Sequence, residues 1–452
     1  MNKLSNIQTI YFIGIGGIGM SALARYFHAK QVAVSGYDKT STELTRTLEA
    51  VGIPIHYEAN LELIPKNANL VVYTPAIPAT QEELTYYREH HFTVVKRSDV
   101  LQMITESSFN ICIAGTHGKT TVTSMIAHLL RDSGYGCNAF LGGIAANYQT
   151  NFWSSERNVV VVEADEYDRS FLKLVPDIAV ITSMDPDHLD IYGTPEAVTD
   201  AFVEFSQKVK PGGCLVTKYG MKRSGELKAA HQYTYDFLND AADVHTNNLR
   251  IHQGAYHFDI QNHYFTINNV VLHMGGLHNI ENAIAAITVA KHLGISDDKI
   301  RAAMANFKGV KRRFEYILNG PTKVLIDDYA HHPEELRALI SGVRSLFASK
   351  KMLLVFQPHL FSRTNDLAHE FAASLDLADE VILLPIYPAR ELPMEGVSSH
   401  SIFDKMKLEH KQILDKEALL VWIEKHKTDL VVMAGAGDID TLVQPIKTMM
   451  SH

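Results

Sequence analysis

The feature that most constrains the fold is the segment "AGTHGKTT" at residues 114–121, which joins an apolar run to an amphipathic one. The run "FNICIAG" before it is typical of a buried strand. Apolar residues then recur at helical spacing, at Val122, Met125, Ile126 and Leu129. A strand, a glycine-rich loop and a helix in this order predict a phosphate-binding loop in a parallel α/β domain. Because the loop is shorter than the usual G-x-x-x-x-G-K-[ST], a simple capped helix start is the alternative.

A second polar strand end would complete such a site. The apolar strand "VVVV" runs into "EADEYD", and a carboxylate at this position, here Glu163, is the usual holder of Mg²⁺ beside a phosphate loop. The alternative is a solvated acidic helix start. The next strand ends in "SMDPDHLDIYG", where His188 could hold a second cation, although a lone histidine is more often structural.

A glycine motif near the start of the chain has the spacing of a dinucleotide fingerprint. Gly14, Gly16 and Gly19 follow the strand "TIYFI" and open a helix, and Asp38 ends the next strand. Such a loop brings backbone N–H groups and a helix N-terminus close to a diphosphate. The motif therefore fits NAD(P) or FAD, another diphosphate such as a UDP-sugar, or plain tight packing.

The order of strand and helix patterns divides the chain into three segments. Residues 1–106 alternate strand, loop and helix. Residues 107–313 begin with the phosphate-loop strand and contain a polar, alternating stretch near 245–275 that predicts an antiparallel meander. Residues 314–452 alternate strand and helix again. We therefore predict an α/β protein of three domains: a Rossmann-like domain, a central P-loop ATPase-like domain with a small antiparallel sheet, and a C-terminal Rossmann-like domain.

Composition narrows the function classes. The net charge of −9 gives no global basic field, so no nucleic-acid partner is expected. No apolar stretch reaches the roughly 18 residues that a membrane span needs, so no membrane association is expected. Cys112, Cys137 and Cys214 form no close pair in the sequence, which favours neither a disulfide framework nor a zinc site and fits a cytoplasmic location.

The third segment places polar clusters after two apolar strands. They are "DDYAHHPEEL" at residues 327–336 and "FQPHLFSRTND" at residues 356–366. Ligand sites of open α/β sheets form at these strand ends. Tyr329, His331 and Arg363 are therefore candidates for holding a small charged substrate, and each could equally be a cap or a surface residue.

These motifs, in this order and over nearly the whole chain, resemble the Mur ligase family of bacterial cell-wall synthesis. The segments that carry the resemblance are "GIGGIGMSALA", "GTHGKTTVTSM", "EADEYDRSF", "DPDHLDIYG", "GGLHNIENAIAA", "KRRFE", "DDYAHHPEEL" and "FQPHLFSRT". The family's ATP loop is the short form G-T-x-G-K-T-T, which residues 115–121 match. The resemblance implies an ATP- and Mg²⁺-dependent ligase that joins L-alanine to the lactyl carboxylate of UDP-N-acetylmuramate through an acyl phosphate, in peptidoglycan precursor synthesis.

The resemblance also implies a role for each matching residue. The UDP-sugar site would comprise Gly14, Gly16, Gly17, Ile18, Gly19, Met20 and Asp38. The ATP site would comprise Gly115, Thr116, His117, Gly118, Lys119, Thr120, Thr121, His278, Asn279, Asn282, Arg313 and Asp328. The amino acid would contact Tyr329, His331 and Arg363, and the metal would contact Thr120, Glu163 and His188. The catalytic set would be Lys119, Glu163, His188, Arg313 and Arg363.

Three rival functions remain, one of them a non-catalytic nucleotide sensor, and one motif departs from the family pattern. A peptidoglycan-recycling ligase would add a tripeptide to the same sugar, but its "GICGT"-like opening differs from "GIGGIGM". An NAD-dependent oxidoreductase would leave the ATP loop and Glu163 unexplained. Leu360 stands where the family pattern has an arginine in "QPHLFSRT", so one amino-acid contact is missing or replaced. We expect only small-molecule partners and a monomer or weak homodimer.

Overall fold

The first sheet is fully parallel and supports the glycine motif. The computed structural model describes residue 4 and residues 6–263, 265–389 and 391–451. The first sheet has the order β3-β2-β1-β4-β5. Its strands are β1 (Thr9–Ile13), β2 (Ala33–Tyr37), β3 (Ile55–His56), β4 (Leu70–Tyr73) and β5 (Val94–Lys96). Its helices are α1 (Ile18–Ala29), α2 (Glu43–Glu49), α3 (Glu82–Glu89) and α4 (Arg97–Glu106).

The second sheet carries the phosphate loop and has the order β15-β14-β13-β12-β11-β10-β6-β9-β7-β8. Its strands are β6 (Phe109–Ala114), β7 (Asn138–Ala145), β8 (Thr150–Trp153), β9 (Val159–Glu163), β10 (Ile178–Ile181), β11 (Cys214–Lys218), β12 (His231–Tyr235), β13 (Val244–His252), β14 (Ala255–Asn262) and β15 (Phe265–Leu272). Its helices are α5 (Lys119–Asp132), α6 (Leu189–Tyr192), α7 (Pro195–Gln207), α8 (Leu277–His292) and α9 (Asp297–Asn306). Only two residues join β13 to β14, a connection that antiparallel neighbours allow.

The third sheet has the order β16-β17-β21-β18-β19-β20, and its first pair is antiparallel. Its strands are β16 (Glu315–Asn319), β17 (Val324–Asp328), β18 (Met352–Phe356), β19 (Glu380–Leu383), β20 (Lys411–Ile413) and β21 (Leu430–Ala434). Its helices are α10 (Pro333–Leu346), α11 (Phe361–Asp366), α12 (Ala368–Leu375), α13 (His400–Phe403), α14 (Lys416–His426) and α15 (Val443–Met450). The predicted α/β class with three sheet-centred parts is confirmed.

Each described sheet takes its strands from one predicted segment, yet the chain forms two compact units. Unit 1 comprises residues 1–247, 259–268 and 281–306, and unit 2 comprises residues 248–258, 269–280 and 307–452. Within unit 1, the Tyr26 ring on α1 lies 5.3 Å from the Phe140 ring and 6.0 Å from the Phe152 ring. The first sheet's helix thus shares its core with strands of the second sheet. The boundaries at residues 106/107 and 313/314 stay predictions.

The buried core follows from the sequence pattern of the central strands. The strand β9 (VVVVE) is buried along all four valines, as expected for a parallel strand covered on both faces. The three cysteines are buried and free. Within the described residues, no helix combines the length and apolarity that a bilayer crossing requires.

Candidate active site

The phosphate loop has the backbone geometry that the sequence predicted. β6 ends at Ala114, Gly118 caps α5, and α5 begins at Lys119. Gly118 has φ +82° and Gly115 has φ +133°, backbone conformations that residues other than glycine rarely adopt. A Cβ atom at Gly115 would also collide with the Thr182 hydroxyl. The loop therefore needs glycine at both positions and leaves the first N–H groups of α5 at its mouth.

The segment after β10 holds this loop in place. The Ser183 Oγ accepts a 2.8 Å hydrogen bond from the His117 N–H and lies 2.8 Å from the Thr116 Oγ1. The Thr182 hydroxyl donates to the His117 carbonyl oxygen. Sequence reasoning missed Thr182 and Ser183. Their signal was present, because they directly follow β10, the strand that pairs in parallel with β6.

Lys119 is paired with a carboxylate that the sequence reasoning left out of the site. Its Nζ donates to Glu166 Oε1 at 2.8 Å and to the Gly115 carbonyl oxygen at 2.6 Å. The Glu166 side chain is 1% exposed, and its Oε2 has no hydrogen-bond partner in the described part of the chain. A buried carboxylate with one unsatisfied oxygen is costly unless another donor or cation reaches it.

Two of the three predicted metal ligands lie together. The Thr120 hydroxyl donates to Glu163 at 3.0 Å, and the Glu163 carboxylate lies against the backbone of Gly142 on β7. The third, His188, lies beside Glu166 instead, with Nε2 4.0 Å from Glu166 Oε1. Among the described residues, no three His, Cys, Asp or Glu side chains form a ready metal cluster. The hydroxyl and carboxylate oxygens fit Mg²⁺, which takes few protein ligands and keeps several waters.

The remaining predicted ATP residues belong to both units. Asn282 lies at the loop, because a Cβ atom at Gly118 would be 2.8 Å from Asn282 Oδ1. Thr121 is buried on α5. In unit 2, Asn279 donates to the Gly275 carbonyl oxygen at 2.7 Å, and the His278 ring lies against Gly276.

Asp328 and Arg313 lie beside each other at the start of the third sheet. The Asp328 carboxylate accepts the N–H groups of Phe314 at 2.6 Å and Ala330 at 2.7 Å. Burial raises the pKa of Asp328 to about 6, and these two hydrogen bonds and the charge of Arg313 oppose that rise. The Arg313 side chain itself is exposed. Asp328 therefore organises the turn that carries Arg313, in addition to any contact with a nucleotide.

The glycine motif forms a tight turn between β1 and α1. Gly14 has φ +84°, and Asp38 Oδ2 accepts the Gly16 N–H at 2.8 Å. Asp38 thus fixes the loop in this structure. The Met20 side chain is buried, which leaves its backbone for the predicted UDP-sugar contact. Gly17 caps α1, and Ile18 is its first residue.

Arg97, the first residue of α4, lies over the glycine motif and was not predicted. A Cβ atom at Gly19 would collide with its guanidinium group. The same group lies 3.6 Å from the carboxylate of Asp165, in the acidic segment after β9. Both contacts lie within unit 1. Arg97 therefore places a cation between the glycine motif and the segment that holds Glu163 and Glu166.

Unit 2 brings the three predicted amino-acid residues into one cluster. The rings of Tyr329 and His331 lie 5.3 Å apart, and the His331 ring lies 6.0 Å from the His359 ring. Arg363 Nη1 lies 3.4 Å from His359 Nδ1. Sequence reasoning missed His359, although it stands in "FQPHLFSRT" four residues before Arg363, which is one turn of a helix.

Leu360, the departure from the family pattern, has an unusual backbone. Its φ is +72°, and it caps α11 while its N–H donates to the Tyr387 carbonyl oxygen at 3.0 Å. Leucine rarely adopts positive φ, and such strain is concentrated at functional sites. Arg312 donates to the Gly435 carbonyl oxygen and lies 5.0 Å from the Tyr329 ring centre. Arg312 thus contacts the cluster through Tyr329.

Three family models match successive parts of the chain. They are the Mur ligase family catalytic domain at residues 9–108, the Mur ligase middle domain at residues 113–290, and the Mur ligase glutamate ligase domain at residues 312–437. The UDP-N-acetylmuramate–L-alanine ligase of Cytophaga hutchinsonii is 48% identical over 99% of this chain and 98% of its own. The ligase of the same description from Parabacteroides distasonis is 49% identical over the same shares.

Solved structures agree. The crystal structure of the UDP-N-acetylmuramate–alanine ligase of Thermotoga maritima matches with a TM-score of 0.81 and 27% identity, over 98% of this chain and 99% of its own. A murein peptide ligase of Psychrobacter arcticus shares the fold with a TM-score of 0.65 at 20% identity, over 98% and 99% of the two chains. The full-length identity, the three successive family models and the short ATP loop lead to one conclusion: this chain belongs to the Mur ligase family.

Proposed function

We propose that this protein is an ATP-dependent ligase that joins L-alanine to the lactyl carboxylate of UDP-N-acetylmuramate in peptidoglycan precursor synthesis. The observation that carries the proposal is identity of 46–49% over almost the full chain to ligases named for this reaction. The site agrees with it, because Lys119 and Thr120 are each already directed to a carboxylate at a phosphate loop.

The reaction has two steps. The lactyl carboxylate attacks the γ-phosphorus of ATP, the bond to the β-phosphate oxygen breaks, and ADP leaves with its electron pair. The alanine amine then attacks the acyl carbon, and inorganic phosphate leaves as the amide forms. An acyl phosphate makes a carboxylate reactive toward an amine because phosphate is a far better leaving group than oxide.

The chain's own groups offset the charge of the first step. The N–H groups at the start of α5 and the Lys119 ammonium group would hold the β- and γ-phosphates. Arg313 and Arg363 would add positive charge toward the nucleotide and the alanine carboxylate. Thr120 and Glu163, with His188 near Glu166, would hold Mg²⁺, which supplies Lewis-acid stabilisation of the phosphoryl oxygens when bound.

The glycine motif is assigned to the diphosphate of the UDP-sugar rather than to a nicotinamide cofactor. We place UDP-sugar binding in residues 1–106, ATP binding in residues 107–313 and amino-acid binding in residues 314–452. The partners are then small molecules alone, in the cytoplasm, with the protein a monomer or weak homodimer. The oxidoreductase alternative leaves the phosphate loop, with Lys119 paired to Glu166 and Thr120 to Glu163, unexplained.

A ligation assay tests the proposal. The protein is incubated with ATP, Mg²⁺ and UDP-N-acetylmuramate and, in turn, each of the twenty amino acids and the tripeptide of the recycling reaction. ADP, phosphate and the UDP-linked product are measured. We expect stoichiometric ADP, phosphate and amide product with L-alanine and none with the tripeptide. Turnover of the tripeptide, or nicotinamide reduction without ligation, would replace the proposed function with one of its rivals.

A further inference from the structure

We infer that His331 is the base that removes a proton from the ammonium group of the incoming amino acid. The inference rests on the proposed function and adds a step to it. At neutral pH L-alanine is a zwitterion, and its ammonium nitrogen has no lone pair with which to attack an acyl phosphate. A group near the alanine carboxylate must therefore accept a proton before the amide can form.

Hydrogen bonding determines which ring nitrogen of His331 can accept the proton. Nδ1 lies 2.9 Å from the Tyr329 carbonyl oxygen, and a carbonyl can only accept, so Nδ1 carries the hydrogen. The neutral ring then has its lone pair on Nε2. Glu335 Oε2 lies 3.4 Å from the same Nδ1. That oxygen is itself fixed by the backbone N–H groups of His331 at 2.9 Å and His332 at 3.1 Å.

This arrangement is that of a base supported by a carboxylate. A carboxylate behind Nδ1 orients an imidazole and stabilises the imidazolium ion that forms when Nε2 takes a proton. Glu335 is the third residue of α10, and its position follows from the capping of that helix. The His331 side chain is 24% exposed, so the ring as a whole is accessible to a substrate.

The neighbouring histidine has the opposite tautomer. His359 Nδ1 lies 3.4 Å from Arg363 Nη1, and a guanidinium group only donates, so Nδ1 of His359 accepts and its Nε2 carries the hydrogen. His359 thus orients Arg363, which would hold the alanine carboxylate. His331 lies 6.0 Å from His359, ring to ring, so we place the ammonium group of an amino acid held by Arg363 on the His331 side of the cluster.

The residues around His331 keep its imidazole neutral and able to accept a proton. Burial lowers the pKa of His331, and the charges of Arg363 and His332 lower it further, while Glu335 and the Tyr329 carbonyl oppose that change. The groups that face His331 are Tyr329, His332, Glu335, His359 and Arg363. With the pKa below its ordinary value near 6.5, the imidazole is mostly neutral at pH 7.

The step balances. One ammonium N–H bond breaks, and its proton passes to Nε2 of His331. The freed lone pair forms the C–N bond, and phosphate leaves the acyl carbon with its electron pair. The second nitrogen proton passes to the departing phosphate as the tetrahedral intermediate collapses, and His331 returns its own proton to water.

The first test separates the base from the rest of the reaction. The His331→Asn side chain keeps an N–H group for the Tyr329 carbonyl but lacks Nε2. General base catalysis contributes about 10²- to 10⁴-fold, so we expect the kcat for alanine ligation at pH 7 to fall by that factor. Hydroxylamine is unprotonated at neutral pH and needs no base, so trapping of the acyl phosphate as a hydroxamate should stay near the wild-type rate.

Each outcome of this test either supports or overturns the role of His331. An equal loss of ligation and hydroxamate formation, or no loss of ligation, would overturn the role of His331. Absence of both reactions in the wild-type protein would instead overturn the proposed function. The matched control is His369→Asn, which replaces an exposed histidine on α12 and should leave both rates unchanged.

The second test uses pH. Glu335→Gln removes the negative charge that raises the pKa of His331 but keeps an oxygen to accept the backbone N–H groups. The acid limb of kcat against pH should therefore move to lower pH in this variant. In His331→Asn the rate should instead keep rising with pH as the free amine becomes more abundant. An acid limb that stays in place in Glu335→Gln, or a wild-type profile in His331→Asn, would overturn the assignment.

Discussion

Replacing Lys119 tests the phosphate loop and its carboxylate partner together. Lys119→Met keeps most of the aliphatic stem and removes the ammonium group. Glu166 is 1% exposed and Lys119 14% exposed, so Glu166 would be left as a buried carboxylate without its cation. Breaking a buried pair by removing one partner costs about 3–5 kcal/mol. Because Glu166 can relieve part of the cost by taking up a proton, we expect about 3 kcal/mol, or roughly 3–5 °C in Tm for a protein of this size.

The matched variant is Lys119→Met combined with Glu166→Gln. The neutral amide removes the uncompensated charge, so most of the lost stability should return. Ligation should not return, because the cation for the β- and γ-phosphates is still missing, and loss of one such group costs roughly 10²- to 10³-fold in kcat. Thermal unfolding without nucleotide and ADP release from the same samples measure both. An unchanged Tm in the single variant, or recovered turnover in the double variant, would refute this reading of the pair.

Three further predictions follow from the other parts of the site. Arg363→Lys keeps the charge but loses the two-pronged guanidinium, so the KM for L-alanine should rise roughly ten- to a hundredfold with little change in the KM for ATP, as steady-state kinetics with each substrate varied would show. UDP-N-acetylmuramate at a hundredfold excess over Kd should stabilise the protein by about 2.7 kcal/mol in a thermal-shift assay, because it binds the native state selectively, and NADH should not. Stabilisation by NADH alone would restore the oxidoreductase alternative. Gly115→Ala should weaken ATP binding measured by calorimetry while UDP-sugar binding survives, because the added Cβ collides with the Thr182 hydroxyl.

The sequence predicted the fold well where periodicity and glycine spacing determine it. The strand before the loop, the helix from Lys119 and the acidic end of β9 all lie as expected, because each depends on residues close in the chain. Periodicity and glycine spacing could not predict the grouping into two compact units. It depends on Tyr26 packing against Phe140 and Phe152, a contact between residues more than a hundred positions apart.

The same limit explains the residues of the site that the sequence did not predict. Glu166 was visible among four acidic residues, but only the folded chain shows which of them meets Lys119. Ser183 is an ordinary strand-end serine until β10 pairs with β6. Arg97 belongs to no motif, and only the folded chain shows that its guanidinium group lies over Gly19. Residue spacing in the sequence thus identified where strands end. Identifying the side chains that meet across neighbouring strands required the order of the strands in the sheet.

Arg97 lies between two segments that serve the proposed first step, the glycine motif and the acidic segment after β9. The glycine motif and the phosphate loop both belong to unit 1, whose shared core around Tyr26 fixes the packing of α1 on the second sheet. Arg97 lies against Gly19 and 3.6 Å from Asp165, which follows Glu163 closely in the chain. Two anionic substrates that react with each other repel as they approach, so a cation beside the glycine motif and the acidic segment after β9 lowers the cost of that approach. The glycine motif and the phosphate loop of the proposed acyl-phosphate step thus lie within one compact unit, whereas the cluster of His331, His359 and Arg363, which we propose selects the amine, belongs to unit 2.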